Sequence, residues 1–325
     1  MREAAVSATR AAIVRPRLDG QLAVRLAVAL ATAVVVVAAV TTERFLTWDN
    51  VKAIFNSASL VGIMALGLTF VTLVGAIASL AVAQTAVVAA MVFLATLGAG
   101  LVPALALAIA VGAAVTALQG LLVGAWNANA VILTIGAGFL IDGFAQAVHG
   151  GSIVQPAGGG FAKLNAVPGG IPVAVYVMVA LALGFELLLR RTSLGRQIVL
   201  VGENRAAARA AGIPVARVVT AAFALAGAGF AVGGAFLGAF NTGASTYLEG
   251  TLTFDAIAAV LVGGTSIGGG HGSALRTLGG ALAIATISDI LLLRGYGTGA
   301  QLLLKGVLVA VVVVVTQAGM RGRET

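Results

Sequence analysis

Residues 202–218 read "GENRAAARAAGIPVARV" and hold Arg205, Arg209 and Arg217 in a chain where only 9% of residues are charged. The local chemistry predicts a short helix between Asn204 and Gly212. Asn204 is a good N-cap, because its side-chain oxygen accepts from free backbone N–H groups of the first turn. "RAAARAA" consists of strong helix formers. Gly212 can close the helix in the left-handed conformation, and Pro214 blocks its continuation. Arg205 and Arg209 lie one turn apart on one face, while Ala207, Ala208 and Ala211 offer a small, smooth surface. Two turns of helix are marginal alone in water. This one needs something to dock against.

Composition says what surrounds it. The 325 residues are 60% hydrophobic, with a mean hydropathy of +1.09. Soluble domains carry roughly 25% charged residues, so the chain reads as a polytopic, all-α membrane protein. Its 44 glycines lie mostly in apolar runs, which suits packed membrane helices. A membrane helix needs about 20 mainly apolar residues. Such runs predict about ten spans, near 22–41, 57–75, 80–99, 101–124, 130–148, 172–189, 217–240, 254–270, 274–293 and 300–318. The stretch around 75–83 has no real polar break, so one helix can be interrupted there. The run after Arg2, Arg10, Arg15 and Arg17 is long for a signal-peptide core and reads as a retained first span.

Basic residues orient the bundle, since loops on the cytoplasmic side carry the excess of Lys and Arg. With the N-terminus inside, 14 of the 19 basic residues fall on one side: Arg2, Arg10, Arg15, Arg17, Arg25, Arg190, Arg191, Arg196, Arg205, Arg209, Arg217, Arg276, Arg321 and Arg323. Arg44, Lys52, Lys163, Arg294 and Lys305 fall on the other. Both termini are expected in the cytoplasm, with a tail at 1–21, one transmembrane domain over 22–318, a cytoplasmic segment at 190–217 and a tail at 319–325. The net charge of +8 is thereby a topology signal, and no nucleic-acid partner follows from it. The chain has no cysteine, hence no disulfide or thiolate metal site.

Gly202, Asn204, Ala207, Ala208, Gly212 and Ile213 match the G-x-N-x-x-A-A-x-x-x-G-I coupling segment of ribose-type ABC transporter permeases. "FDAIAAVLVGGTSIGGGHGSALRTLGGALAI" (254–284) resembles the same family's D-A-I-A-A-V-x-x-G-G-T-S block. Residues 50–75 and 118–143 resemble it more weakly. The likeness covers most of the chain beyond about residue 45.

The resemblance implies a membrane subunit of a binding-protein-dependent importer of a sugar or similar small polar solute, in the prokaryotic cytoplasmic (inner) membrane. It implies three protein partners: an ABC ATPase subunit, an external substrate-binding protein, and a second permease subunit, the same or different. The chain itself would be no enzyme and hold no cofactor, ATP and Mg being bound by the ATPase. The ATPase-coupling residues would be Gly202, Asn204, Arg205, Ala207, Ala208, Arg209, Gly212 and Ile213, with the alanine face carrying the docking. Arg205 and Arg209 would either keep the helix at the aqueous boundary, each costing about 2.5–3.5 kcal/mol if drawn to the hydrocarbon centre, or pair with acids on a partner. Two departures stand out. The family's G-G-I-D-L-S-x-G is here "GAIASLAVAQ" (75–84), with Ala78 or Ser79 where the acid belongs, and its Asn-Gly pair is Gln119-Gly120.

Ionisable groups at membrane depth are functional candidates. Asp289, beside Ser288, reads as the deepest, either lining the pathway or pairing with Arg294. Asp142 precedes Gln146 by one turn, and Asp255 opens its span at the outer end, where an acid costs little. These residues and Gln119 are the translocation-pathway candidates. Glu186 is positioned to pair with Arg190. The glycine clusters at 227–234 and 268–272 lack the Gly-Lys-Ser/Thr of a phosphate loop; the first predicts close helix packing, the second a tight turn. His149 and His271 lie in loops on opposite sides, so no metal site is expected. Residues 149–172, rich in glycine and proline, read either as a folded-over outer loop that offers a binding protein a docking place or as a plain connector. An ion-coupled secondary transporter using Asp289 or Asp142 is the rival reading, and a nucleoside or autoinducer-type metabolite the rival substrate.

Overall fold

The computed structural model describes residues 39–321, with side chains described as far as Val312 apart from Glu249. Its helices are α1 (Trp48–Leu73), α2 (Val82–Thr96), α3 (Leu101–Ala125), α4 (Ala130–His149), α5 (Val173–Arg191), α6 (Ser193–Glu203), α7 (Arg205–Ala210), α8 (Val215–Phe240), α9 (Leu252–Val262), α10 (Ala274–Leu293) and α11 (Thr298–Arg321). The only β pairing among the described residues is an isolated bridge between Val154 and Ala244.

Seven helices are long and apolar enough to cross a membrane: α1, α2 with its 3-10 extension to Ala99, α3, α4, α5, α8 and α10. Nine of the ten expected spans fall on the described residues, where seven helices meet these criteria. The span at 22–41 lies outside them. The one expected at 254–270 stops at Val262, and its 11 residues reach only about 16 Å. Helix α11, with 24 residues, covers the span expected at 300–318, its side chains being described as far as Val312. Conversely, α1 begins nine residues before the apolar window at 57, because its polar first turns are satisfied. Asp49 pairs with Lys52 at 2.7 Å, and the Asn50 amide donates to the Phe45 carbonyl at 3.1 Å.

Helix α8 forms the centre, and its small residues explain why. Lipid tails are as apolar as leucine, so membrane helices associate through close packing rather than hydrophobic burial. A Cβ on Gly227 would strike the Thr116 hydroxyl and the Gly112 carbonyl, and one on Gly120 would lie 2.6 Å from the Phe223 Cβ. Along α8 these contacts run antiparallel to α3. Gly67 and Gly229 place α1 antiparallel as well, while Gly234 against Ala86 and Gly238 against Ala90 place α2 parallel. The expectation that 227–234 serves close approach is met.

Two helices are broken inside the bundle. After α1 the chain runs through residues 74–81, with Gly75 (φ 77°) and Ile77 (φ 60°) in left-handed conformations, and restarts as α2 in the opposite sense. After α8 it runs through 241–251 and restarts as α9. Helix α9 packs antiparallel to α10, with Gly280 against Ala259 and Gly263 against Thr277. Helix α10 in turn lies antiparallel to α1, joined by Thr69 and Thr277 hydroxyls 2.9 Å apart. Thus α1–α2 and α8–α9 repeat one arrangement with opposite sense, the pattern of inverted repeats. Their restarts meet where the Ala83 N–H donates to Thr253 Oγ1 at 3.1 Å. Non-helical backbone survives at such depth only when protein groups satisfy it. Thr134 Oγ1 accepts from Leu80 N–H at 3.0 Å, and Ser79 Oγ from Ala81 N–H at 3.3 Å.

The two ends of the bundle differ in charge. The end formed by α6, α7 and the adjoining ends of α5, α8 and α10 carries Arg190, Arg191, Arg196, Arg205, Arg209, Arg217 and Arg276. At the opposite end, residues 150–172 fold back on the bundle. Ala157 N–H donates to Leu94 O at 2.9 Å, and the Asn165 amide to Ala239 O at 2.7 Å.

Candidate coupling and translocation site

Helix α7 forms as its sequence dictates. The Asn204 side chain accepts from Ala206 N–H at 2.9 Å and Ala207 N–H at 3.0 Å. Gly212, at φ 77°, donates to Arg209 O at 3.0 Å, and Ile213 N–H to Ala208 O at 3.0 Å. This is the Schellman closure that glycine permits. Sequence reading missed α6, although Thr192 signals it: its hydroxyl caps the helix by accepting from Gly195 N–H at 3.1 Å.

The alanine face divides. Ala208, 4% exposed, packs into the protein's own core, whereas Ala207, Arg209 and Ala211 face outward. Ile213 packs partly against the core. Arg205 is half-buried; burial first, and then the neighbouring Arg209 charge, pushes its guanidinium below the usual range. Between α7 and the α3–α4 turn lies an open groove of about 710 Å³, lined by Trp126, Asn127, Arg209, Ile213 and Arg217 among others.

Gly202 does something other than touch a partner. It is buried in a knot of backbones with Gly75, Gly269 and Gly270. Gly270 N–H donates to Leu73 O at 2.9 Å, and a Cβ on Gly269 would stand 2.7 Å from Gly75 Cα. The knot ties the entry to α7 to the break that follows α1 and to the turn that follows α9. The tight turn expected at 268–272 is present, with Ser266 N–H donating to His271 O at 2.8 Å.

The pathway candidates do not converge. Asp289 sits four residues from the end of α10, about 6 Å along its axis, and is not the deepest acid. Its carboxylate accepts from the Asn50 amide at 2.7 Å, while Arg294 donates to Thr42 and Thr41 at 2.9 and 2.6 Å. Ser288 donates to Ile284 O within its own helix. Asp142 accepts from Gln146 at 3.1 Å. Gln119, 4% exposed, shares the buried face of α3 with Thr116 and Gly120, and its amide has no hydrogen-bond partner among the described residues.

Asp255 is the group that the sequence placed wrongly. It lies in the first turn of a helix that starts within the bundle, not at the outer surface. Its Oδ1 stands 2.7 Å from Lys305 Nζ, an ion pair without hydrogen-bond alignment, and its Oδ2 accepts from Thr251 at 2.7 Å. Lys305, counted with the outer-side basic residues and lying within the span expected at 300–318, is buried in α11. Nearer the arginine-rich end, Glu186 accepts from Arg190 as expected and also from Ser273 Oγ at 2.8 Å, joining α5 to α10. Among the described residues no three His, Cys, Asp or Glu side chains gather to hold a metal.

Among the described residues, seven apolar spans, two broken helices of opposite sense and an arginine-lined helix at one end define a multi-pass membrane protein. Residues 50–316 match the family described as "Branched-chain amino acid transport system / permease component", and the chain belongs to that family. It is similar to the ribose import permease protein RbsC of Bacillus subtilis (31% identical, 86% of this chain and 88% of that one) and of Escherichia coli K12 (32%, 83% and 86%). The probable ABC transporter permease protein YphD of Escherichia coli is 42% identical, over 44% of this chain and 43% of its own length. The autoinducer 2 import system permease protein LsrD of Yersinia enterocolitica is 32% identical over 61% of this chain and 65% of its own. No solved structure matches the chain. As a permease component it has no ATPase site of its own; its family is the membrane part of binding-protein-dependent importers.

Proposed function

We propose that this permease imports a small polar solute, a sugar or a related metabolite, powered by a separate ATPase that binds α7. The observation that carries the reading is the mounting of α7. It is capped at both ends, presents Ala207, Arg209 and Ala211 to solvent, and is tied through Gly202 to the break after α1 and the turn after α9. A load applied to α7 therefore reaches the membrane interior through backbone contacts, which transmit displacement with little give. In this reading the arginine-rich end faces the cytoplasm, as the positive-inside rule favours, in a prokaryotic inner membrane with both termini inside. An external binding protein delivers solute at the opposite end over residues 150–172. A second permease subunit, identical or not, completes the pathway.

Relatives named for ribose and autoinducer 2 support a sugar-like solute. Purification from native membranes tests the mechanism. The chain should bring a nucleotide-hydrolysing companion, and Gly212→Pro should lose that companion while still inserting. Proline cannot adopt φ 77° and removes the N–H bonded to Arg209. Uptake of radiolabelled ribose by the chain alone, driven by a proton or sodium gradient, would instead favour an ion-coupled carrier.

A further inference from the structure

The Asp255–Lys305 pair lies deep in the bundle. Its side chains are 10% and 9% exposed. Asp255 precedes the end of α9 by seven residues, and Lys305 follows the start of α11 by seven. At 1.5 Å per residue each is about 10 Å from its own helix end, within a hydrocarbon layer of about 30 Å. Separating opposite charges at that depth leaves each unpaired in apolar surroundings, which is strongly disfavoured. The start of α9 is thus held fast. Beyond its other end, Gly269 packs on Gly75 and Gly202, and Gly270 against Glu203, immediately before α7. An 11-residue rod is pinned near one end and linked to α7 beyond the other.

We propose that Lys305 is a positioning residue that pins α9 to α11, so that Asp255 is the pivot about which α9 swings when α7 is displaced. Lys305 acts through Asp255 and does not touch solute. The swing rests on the ATP-driven reading above, whereas the pinning does not.

Cysteine-directed spin labels test both parts, because the chain has no native cysteine. One pair, Phe254→Cys with Leu303→Cys, reports the pinned end; Gly268→Cys with Leu303→Cys reports the swinging end. These three positions are exposed. In the complex with its ATPase, the 254–303 distance should hold between the nucleotide-free and ATP–vanadate states, while 268–303 shifts by more than about 2 Å. Without nucleotide, Lys305→Met should broaden the 254–303 distribution, and Lys305→Arg should keep it narrow. A narrow distribution in Lys305→Met overturns the pinning. Equal shifts at both pairs, or none at 268–303 in a complex that hydrolyses ATP, overturn the pivot. A chain that retains no ATPase overturns the proposed function, and the nucleotide-free comparison still decides whether Lys305 pins α9.

Discussion

The carbonyl oxygen of Leu73 occupies the place where a Cβ on Gly202 would stand, and the same oxygen accepts the Gly270 N–H at 2.9 Å. Gly202→Ala must therefore displace backbone, at a cost of about 1–3 kcal/mol for an overpacked site. Gly212→Ala meets open space and suffers only its φ of 77°, roughly 1–2 kcal/mol. Thermal unfolding of the purified permease should show the larger drop for Gly202→Ala. Equal drops would mean that the knot is not tight.

Asn204→Ala removes the acceptor for two N–H groups of α7 and should cost the helix about 1 kcal/mol. Amide exchange at Ala206 and Ala207 should accelerate several-fold, and Asn204→Asp should restore protection. Unchanged exchange in the alanine variant would show that tertiary contacts alone hold α7.

Arg205 has a direction that can be checked. Its guanidinium is pushed down by burial and by Arg209, so the folded state disfavours its charge. That unfavourable contribution is present below the lowered value and is relieved only as pH rises through it, in the strongly alkaline range. No stability step from Arg205 should appear near neutral pH. Arg205→Gln should leave the melting temperature of the permease alone unchanged or higher, yet weaken retention of the ATPase. A marked loss of stability would contradict this.

Glu186 accepts from Arg190, Ser273 and the Leu275 N–H. Glu186→Gln turns one acceptor into a donor facing donors, costing about 1–3 kcal/mol. Arg190 is 70% exposed, so Arg190→Gln should cost well under half as much. Melting curves of the two variants decide whether the tie to α10 or the surface ion pair matters more.

Much of this was legible in the chain itself. Asn204, Gly212 and Pro214 fixed α7 because caps and stops are local chemistry, and the small residues at 227–234 announced close packing. An interruption around 75–83 was legible in the missing polar break; what satisfies that backbone, and the break after α8, were not. Residues 75–83 hold no charge or proline, and the groups that satisfy their backbone, Thr134 and Thr253, come from distant segments. Lys305 was missed for the same reason: hydropathy reports that a lysine lies in an apolar run, and only the fold brings Asp255 to it. Ala208 was read as part of a docking face because spacing alone does not say which side of a two-turn helix its own protein covers.

The central claim is that α7 lies under the cytoplasmic leaflet with a separate motor seated on it. Ala207→Cys would be the chain's single cysteine, at an exposed position on that helix. A membrane-impermeant maleimide should label it in inverted vesicles stripped of the ATPase, fail to label it in intact cells, and be blocked once the ATPase is restored. Labelling from the cell exterior, or labelling indifferent to the ATPase, would contradict the account.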